Sequence, residues 1–247
     1  MTDHDILKKV YKLIGLYRSG ALGGEIMPED ENPGFPSHTA KNYLYFTLPM
    51  ALNYQRNSYK LWAGANQSYA DPQTADAFIP AKVIQMSDDE LRAKLLKHKI
   101  ALQPNKHIEI WKTISAAIQL DFGGDIRNLF VSNNYDVKRI KDYILAHKKD
   151  FPYLGGAKIL NYWLYVIEQY TDAKFKHREW ITVAPDTHVI QASERLGLIT
   201  NAEAQNPNIR DTLALRWATL LAGTDLSPID VHTPLWLWSR QGFKGGV

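Results

Sequence analysis

The chain has 247 residues, 45% of them hydrophobic and 22% charged, with a net charge of +3. That is enough apolar material for one large core or two small ones, and too little net charge to demand a polyanionic partner. The absence of cysteine excludes disulfides, thiolate zinc sites, Cys-ligated iron–sulfur clusters and cysteine nucleophiles.

The start, Met-Thr-Asp-His-Asp, lacks the basic-then-apolar order of a secretory signal, and no apolar run approaches the roughly 18 residues of a membrane span. A soluble, cytoplasmic protein is expected. Apolar residues recur mostly at three- and four-residue intervals, so the predicted fold class is all-α, with ten or so helices. Ile6, Val10, Leu13, Ile14 and Tyr17 give a first helix. The Gly-, Pro- and acid-rich stretch 20–37 reads as a long loop, open to being a lid or a packed arm. Helices follow over 39–56, with a kink at Pro49, and over 58–69. Ser87-Asp-Asp-Glu90 reads as a capping box ahead of Leu91, Leu95 and Leu96. The stretch 105–120 carries Ile108, Trp111, Ile114, Ala117 and Ile118 on one face, and Gly123-Gly124 ends it. Further helices are predicted over 125–131, 136–149, 157–170, 187–196, 211–221 and from Pro228 or His232 to Arg240. The helix 157–170 is apolar on nearly all sides and should be central. The charged stretch 171–180 reads as a surface loop.

Two segments carry chemistry. Phe151-Pro-Tyr-Leu-Gly-Gly-Ala-Lys158 joins two predicted helices through a glycine pair. Gly155 and Gly156 can take left-handed angles, and amides at a helix start attract an anion. The alternative is an ordinary helix end with a tight corner. Lys158 falls in the first turn of an apolar helix, where the macrodipole and partial burial both favour the neutral amine that a lysine nucleophile needs; a phosphate-contacting or merely exposed lysine is the plain alternative. Lys138, Arg139, Lys141, Lys148 and Lys149 surround the turn. In the second segment, Pro185-Asp-Thr-His188, Asp186 is expected to be an N-cap, which would hold a carboxylate rigidly.

These two segments, in this order and with the apolar helix between them, resemble the signature of the helix-hairpin-helix DNA glycosylase superfamily. That signature runs Leu-Pro-Gly-Val-Gly-x-Lys, a helix, then Val-Asp-Thr-His and an Arg-Leu-Gly ending, matched here by Arg195-Leu-Gly197. Leu52-Asn-Tyr-Gln55 is similar to an early Leu-Ser-Gln segment. The Lys158–Asp186 separation is longer than in most members, with the excess in 171–180. Together with the missing cysteines this looks most like the archaeal-type 8-oxoguanine DNA glycosylase branch.

The resemblance implies two helical subdomains, 1–57 plus 172–247 and 58–171, with the active site in the cleft between them. It implies catalytic Lys158 and Asp186, and base contacts from Gln55, Trp62, His232 and Trp236, with His232 standing where the family carries an acid. Gly155, Gly156, Ala157 and Lys149 would hold backbone phosphates. The implied partner is double-stranded DNA bearing a damaged base or an abasic site, bound by a monomer. No metal or organic cofactor is implied, although a monovalent cation on the turn carbonyls is compatible with it. Two other readings stay open: a monofunctional glycosylase in which Asp186 activates water, and a non-catalytic DNA-binding module.

Overall fold

A computed structural model describes residues 2–22 and 27–247, with the side chains of Ala157 and Asp211 left out. Among the described residues there are thirteen α-helices and no strand. In chain order they are α1 Asp3–Arg18, α2 Ala40–Ala51, α3 Ser58–Ala70, α4 Pro80–Val83, α5 Asp88–Lys97, α6 Lys106–Phe122 and α7 Arg127–Ser132. There follow α8 Val137–Ala146, α9 Ala157–Tyr170, α10 Thr187–Leu196, α11 Asn201–Ala204, α12 Ile209–Leu221 and α13 His232–Arg240. No helix among them is long and apolar enough to cross a membrane.

The chain forms two compact units, one of Met1–Glu25 with Arg178–Val247 and one of Ile26–His177. Where the sequence reading divides the chain at 57 and 172, these units divide it at 25 and 178. The reason lies in α2, which is buried along nearly its whole length and packs on α9, α6 and α3. The helix ends two residues after Pro49 instead of running to Arg56: Leu52 N and Asn53 N turn back to Pro49 O and Met50 O, and Gln55 is left-handed at φ 50°.

In the terminal unit, α1 presents Ile6, Val10, Leu13 and Ile14 to α10, α12 and α13. Buried indoles are anchored by their N–H groups: Trp217 Nε1 donates to Ser193 Oγ at 2.9 Å and Trp238 Nε1 to Lys244 O at 2.9 Å. Arg178 pairs with Asp230 at 2.7 Å, tying 178–180 to the turn before α13.

The central unit is an aromatic core. Tyr45, Phe46, Trp62, Phe78 and Trp111 stack or meet edge-on within about 6 Å of one another. The helix α9 lies at its heart: Leu160, Trp163, Leu164, Val166 and Ile167 are buried, and Trp163 Nε1 donates to Thr47 Oγ1 of α2 at 3.1 Å. The stretch 171–177 is not the solvated loop expected of its charges. Phe175 packs on Phe130, and the strand-like pairing Lys176 N to Tyr135 O (2.8 Å) and Val137 N to Lys176 O (3.1 Å) fixes it beside α8. Of the predicted capping box at α5, Ser87 Oγ accepts from Glu90 N at 3.1 Å, while the Glu90 carboxylate turns toward Lys94. The described part of the 20–37 stretch is a packed arm: Phe35 meets Tyr69 edge-on at 4.7 Å, and Tyr170 donates to Asp30 at 2.8 Å. Residues 23–26 of it lie outside the described residues.

That arm also buries a carboxyl. Glu29 is 1% exposed; its Oε2 accepts from the Tyr162 hydroxyl at 3.0 Å, and Oε1 has no partner. Burial pushes it up to about 7, against the opposing hydrogen bonds. In the unfolded chain it ionises near 4.5, so between these values the folded state keeps a proton the unfolded state has lost, and stability falls as pH rises. The stabilisation present below pH 4.5 is gone above about 7, a change of about 3 kcal/mol. Glu29→Gln, which stays neutral, is expected to flatten this dependence, read as urea midpoints that converge at about pH 5 and pH 8 in the variant and separate in the wild type.

Candidate functional site

The glycine turn runs over 147–156 between α8 and α9. It is closed on itself: Phe151 N donates to His147 O at 3.2 Å, Gly155 N to Phe151 O at 2.8 Å and Gly156 N to Tyr153 O at 2.9 Å. The left-handed residue is Tyr153, at φ 61°; neither Gly155 nor Gly156 has a positive φ. Glycine is required there by close approach instead. A Cβ on Gly156 would stand 3.0 Å from Tyr153 O, and one on Gly155 would stand 3.3 Å from both Phe151 O and Lys148 Cγ. The expectation that Gly155 and Gly156 offer outward amides therefore fails, because both amides are spent inside the turn. What remains for an anion is the start of α9, where the amides of Lys158 and Ile159 precede the first intrahelical bond, Leu160 N to Gly156 O. The side chain of Ala157 lies outside the described residues.

Lys158 and Lys149 are both exposed on this turn. For Lys158 the burial half of the expectation is overturned, because α9 turns its apolar residues inward and its first-turn lysine outward; the position at a helix N-terminus stands. The basic run is partly neutralised by its own acids, with Lys138 2.8 Å from Asp142 and Arg139 4.0 Å from Asp136. The lysine that burial depresses is Lys141, half-buried and donating to Asn161 Oδ1 of α9 at 3.1 Å. Asn161 follows Lys158 by three residues, so the Lys141 ammonium stands along the same helical face one turn on. Sequence reading had counted Lys141 only as part of a charge run. The available signal was its spacing: it comes four residues after Val137 and three before Ile144, both buried.

Next to the turn stands the loop after α2. Tyr54 is half-exposed, with its ring 5.3 Å from that of Tyr153, and its hydroxyl accepts from Gln55 Nε2 at 3.1 Å. Gln55 is exposed. The structure thus brings Gln55 close to the glycine turn. Trp62 does not join them. It is 0% exposed, covered by Tyr45 and Phe46, with no face open to a base.

In the terminal unit Asp186 is the N-cap of α10, accepting from Val189 N at 3.0 Å. Two residues on, His188 Nδ1 lies 3.2 Å from Ser239 Oγ, which donates to Gln191 Oε1 at 3.0 Å. The same imidazole meets Trp236 edge-on at 5.6 Å, and the Arg240 guanidinium lies 4.7 Å over the indole. Trp236 is partly buried, with His188 at its edge and Arg240 over its ring. His232 is not open to a base: it starts α13 at 4% exposure, closed off by the packing of that helix on α10. Among the described residues no three His, Asp or Glu side chains gather as a metal-binding group.

No protein-family model matches the chain, and no curated protein matches it. The chemical content of the two segments therefore rests on their residues. One prediction concerns Asp186 as a cap alone. Asp186→Ala should cost about 1 kcal/mol in urea unfolding, whereas Asp186→Asn, an equally good cap, should stay within a few tenths.

Proposed function

We propose that the protein is a DNA glycosylase with abasic-site lyase activity that removes an oxidised purine, 8-oxoguanine above all. The observation that carries this reading is the exposed amine of Lys158 in the first turn of an otherwise buried helix, directly after a turn closed by its own hydrogen bonds. An amine held this way is rigid at its base and accessible at its tip, as attack on a sugar carbon requires.

In this reading α8, the glycine turn and α9 form a helix-hairpin-helix. The first-turn amides of α9 and Lys149 hold backbone phosphates, which fix register without reading sequence. The damaged nucleotide leaves the stack and is presented to Lys158. Gln55, exposed beside the hairpin, fills or probes the space left by the base, and Trp236 stacks on the extruded base. The Lys158 amine, after giving up its proton, forms a bond to C1′ as the glycosidic bond to the base breaks and the leaving base is protonated. Ring opening gives a Schiff base. Loss of a C2′ proton then expels the 3′ phosphate by β-elimination. Asp186 offsets the positive charge that develops on the sugar and accepts the proton from Lys158.

The exposure of Lys158 favours a second reading, in which that ammonium only contacts phosphate and Asp186 activates a water. Borohydride separates the two. Incubation with duplex containing 8-oxoguanine or an abasic site, followed by reduction, should give a covalent protein–DNA adduct. The adduct should vanish in Lys158→Ala and fall by about 10²-fold or more in Asp186→Asn. Base release with no adduct and no strand cleavage would establish the water mechanism. No product from any damaged duplex would end both.

A further inference from the structure

A second basic feature lies in the central unit, where Arg56 follows the Tyr54–Gln55 loop. The helix α3 starts behind Asn57, whose side chain accepts from Lys60 N at 3.0 Å. One turn further, Gly64 lets α3 descend onto the backbone of 98–100; a Cβ there would collide with the His98 carbonyl. Beside this contact is a cavity of about 500 Å³ whose wall includes Arg56, Lys60, Gln67, His98 and Lys99, with Leu102 as an apolar lip.

No carboxylate lines the cavity. His98 Nε2 is 2.8 Å from Asp71, which also holds Lys97, and neither acid nor Lys97 belongs to the wall. Elsewhere Lys94, Lys112, Arg127 and Arg216 each have an acidic partner. Among the described residues Arg56, Lys60 and Lys99 have none within ion-pair distance. Arg56 is also fixed in place: Nη1 donates to Ile100 O and Nη2 to Lys99 O at 3.0 Å, while Nε is buried without an acceptor. Burial lowers this guanidinium to about 10, so it remains charged at neutral pH. Three cations around one hollow repel one another, and a folded chain that keeps them together has a site suited to an anion.

The position narrows the anion. Arg56 follows Gln55 directly, and the same loop touches the glycine turn through the Tyr54 and Tyr153 rings. We propose that the cavity is a second backbone-phosphate site, in which Lys60, Lys99 and Arg56 hold one or two consecutive phosphodiesters of the nucleic-acid strand that passes Gln55. The choice of ligand rests on the reading of the protein as acting on DNA. The site fixes the strand beside Gln55, so that the residue probing the base stands next to a held phosphate.

The test uses the full chain and an undamaged duplex, whose binding needs no chemistry. Lys60 and Lys99 are exposed and unpaired, so Lys60→Ala/Lys99→Ala removes charge without removing a structural contact of either ammonium. Binding is followed by fluorescence anisotropy between about 50 and 200 mM salt. The slope of log affinity against log salt should become shallower by about 1–2, and affinity at the low-salt end should fall on the order of tenfold. An unchanged slope and affinity overturns the proposal, as does an equal change in a control, Lys8→Ala/Lys82→Ala, that removes two exposed lysines elsewhere. Micromolar binding of AMP that the Lys60/Lys99 variant loses, with duplex binding intact, would make the cavity a small-molecule site and overturn the strand assignment. Borohydride trapping on the same proteins separates the two claims: adduct with an unaltered slope sinks the cavity alone, and an altered slope with no adduct sinks the glycosylase alone.

Discussion

The burial of α9 is the constraint on which the central unit depends. Its apolar residues face α2 and the aromatic core on several sides, and the Trp163 N–H is satisfied by Thr47 inside that core. A helix held so completely cannot rotate, so the direction of its first turn is fixed. Lys158 therefore leaves the surface at one angle, and the turn that precedes it must close within a short span. That explains why the turn spends its own amides: Gly155 N and Gly156 N bond to Phe151 O and Tyr153 O, and a side chain at Gly156 would press on the carbonyl that completes the closure.

The same packing creates the two unusual charge environments of that unit. The arm 27–37 lies over α3 and α9, and its Glu29 ends in the core against Tyr162 with one oxygen unpartnered. Arg56, at the end of the loop after α2, is drawn inward to cap the carbonyls of Lys99 and Ile100. Each is a cost to stability that a purely structural design would avoid. Around Arg56 the cost coincides with a cavity lined by two further cations, Lys60 and Lys99, an arrangement suited to an anion. Around Glu29 the consequence is a pH-dependent stability.

Helix positions were largely legible because burial on one side imposes a 3.6-residue period. The range 157–170 for α9 and 187–196 for α10 follow from apolar spacing and from Asp186 as a cap. The capping role of Asp186 also agrees with the reading of the sequence. What went astray did so where burial was inferred from residue type. Trp62 and His232 look suited to recognising a base, yet both are closed in by neighbouring helices. Phe175, set among charges in 171–177, is packed on Phe130.

The sequence by itself determined the helical class, the order of elements and the residues on either side of the glycine turn, because these depend on local periodicity, caps and breakers. Only the tertiary structure decided which side chains are open to a ligand. Exposure is set by which helix faces meet, and faces from distant parts of the chain meet through packing that no local pattern encodes. Lys141 came to Asn161, Arg56 came to the carbonyls of 99–100, and the hollow beside Gly64 formed in that way.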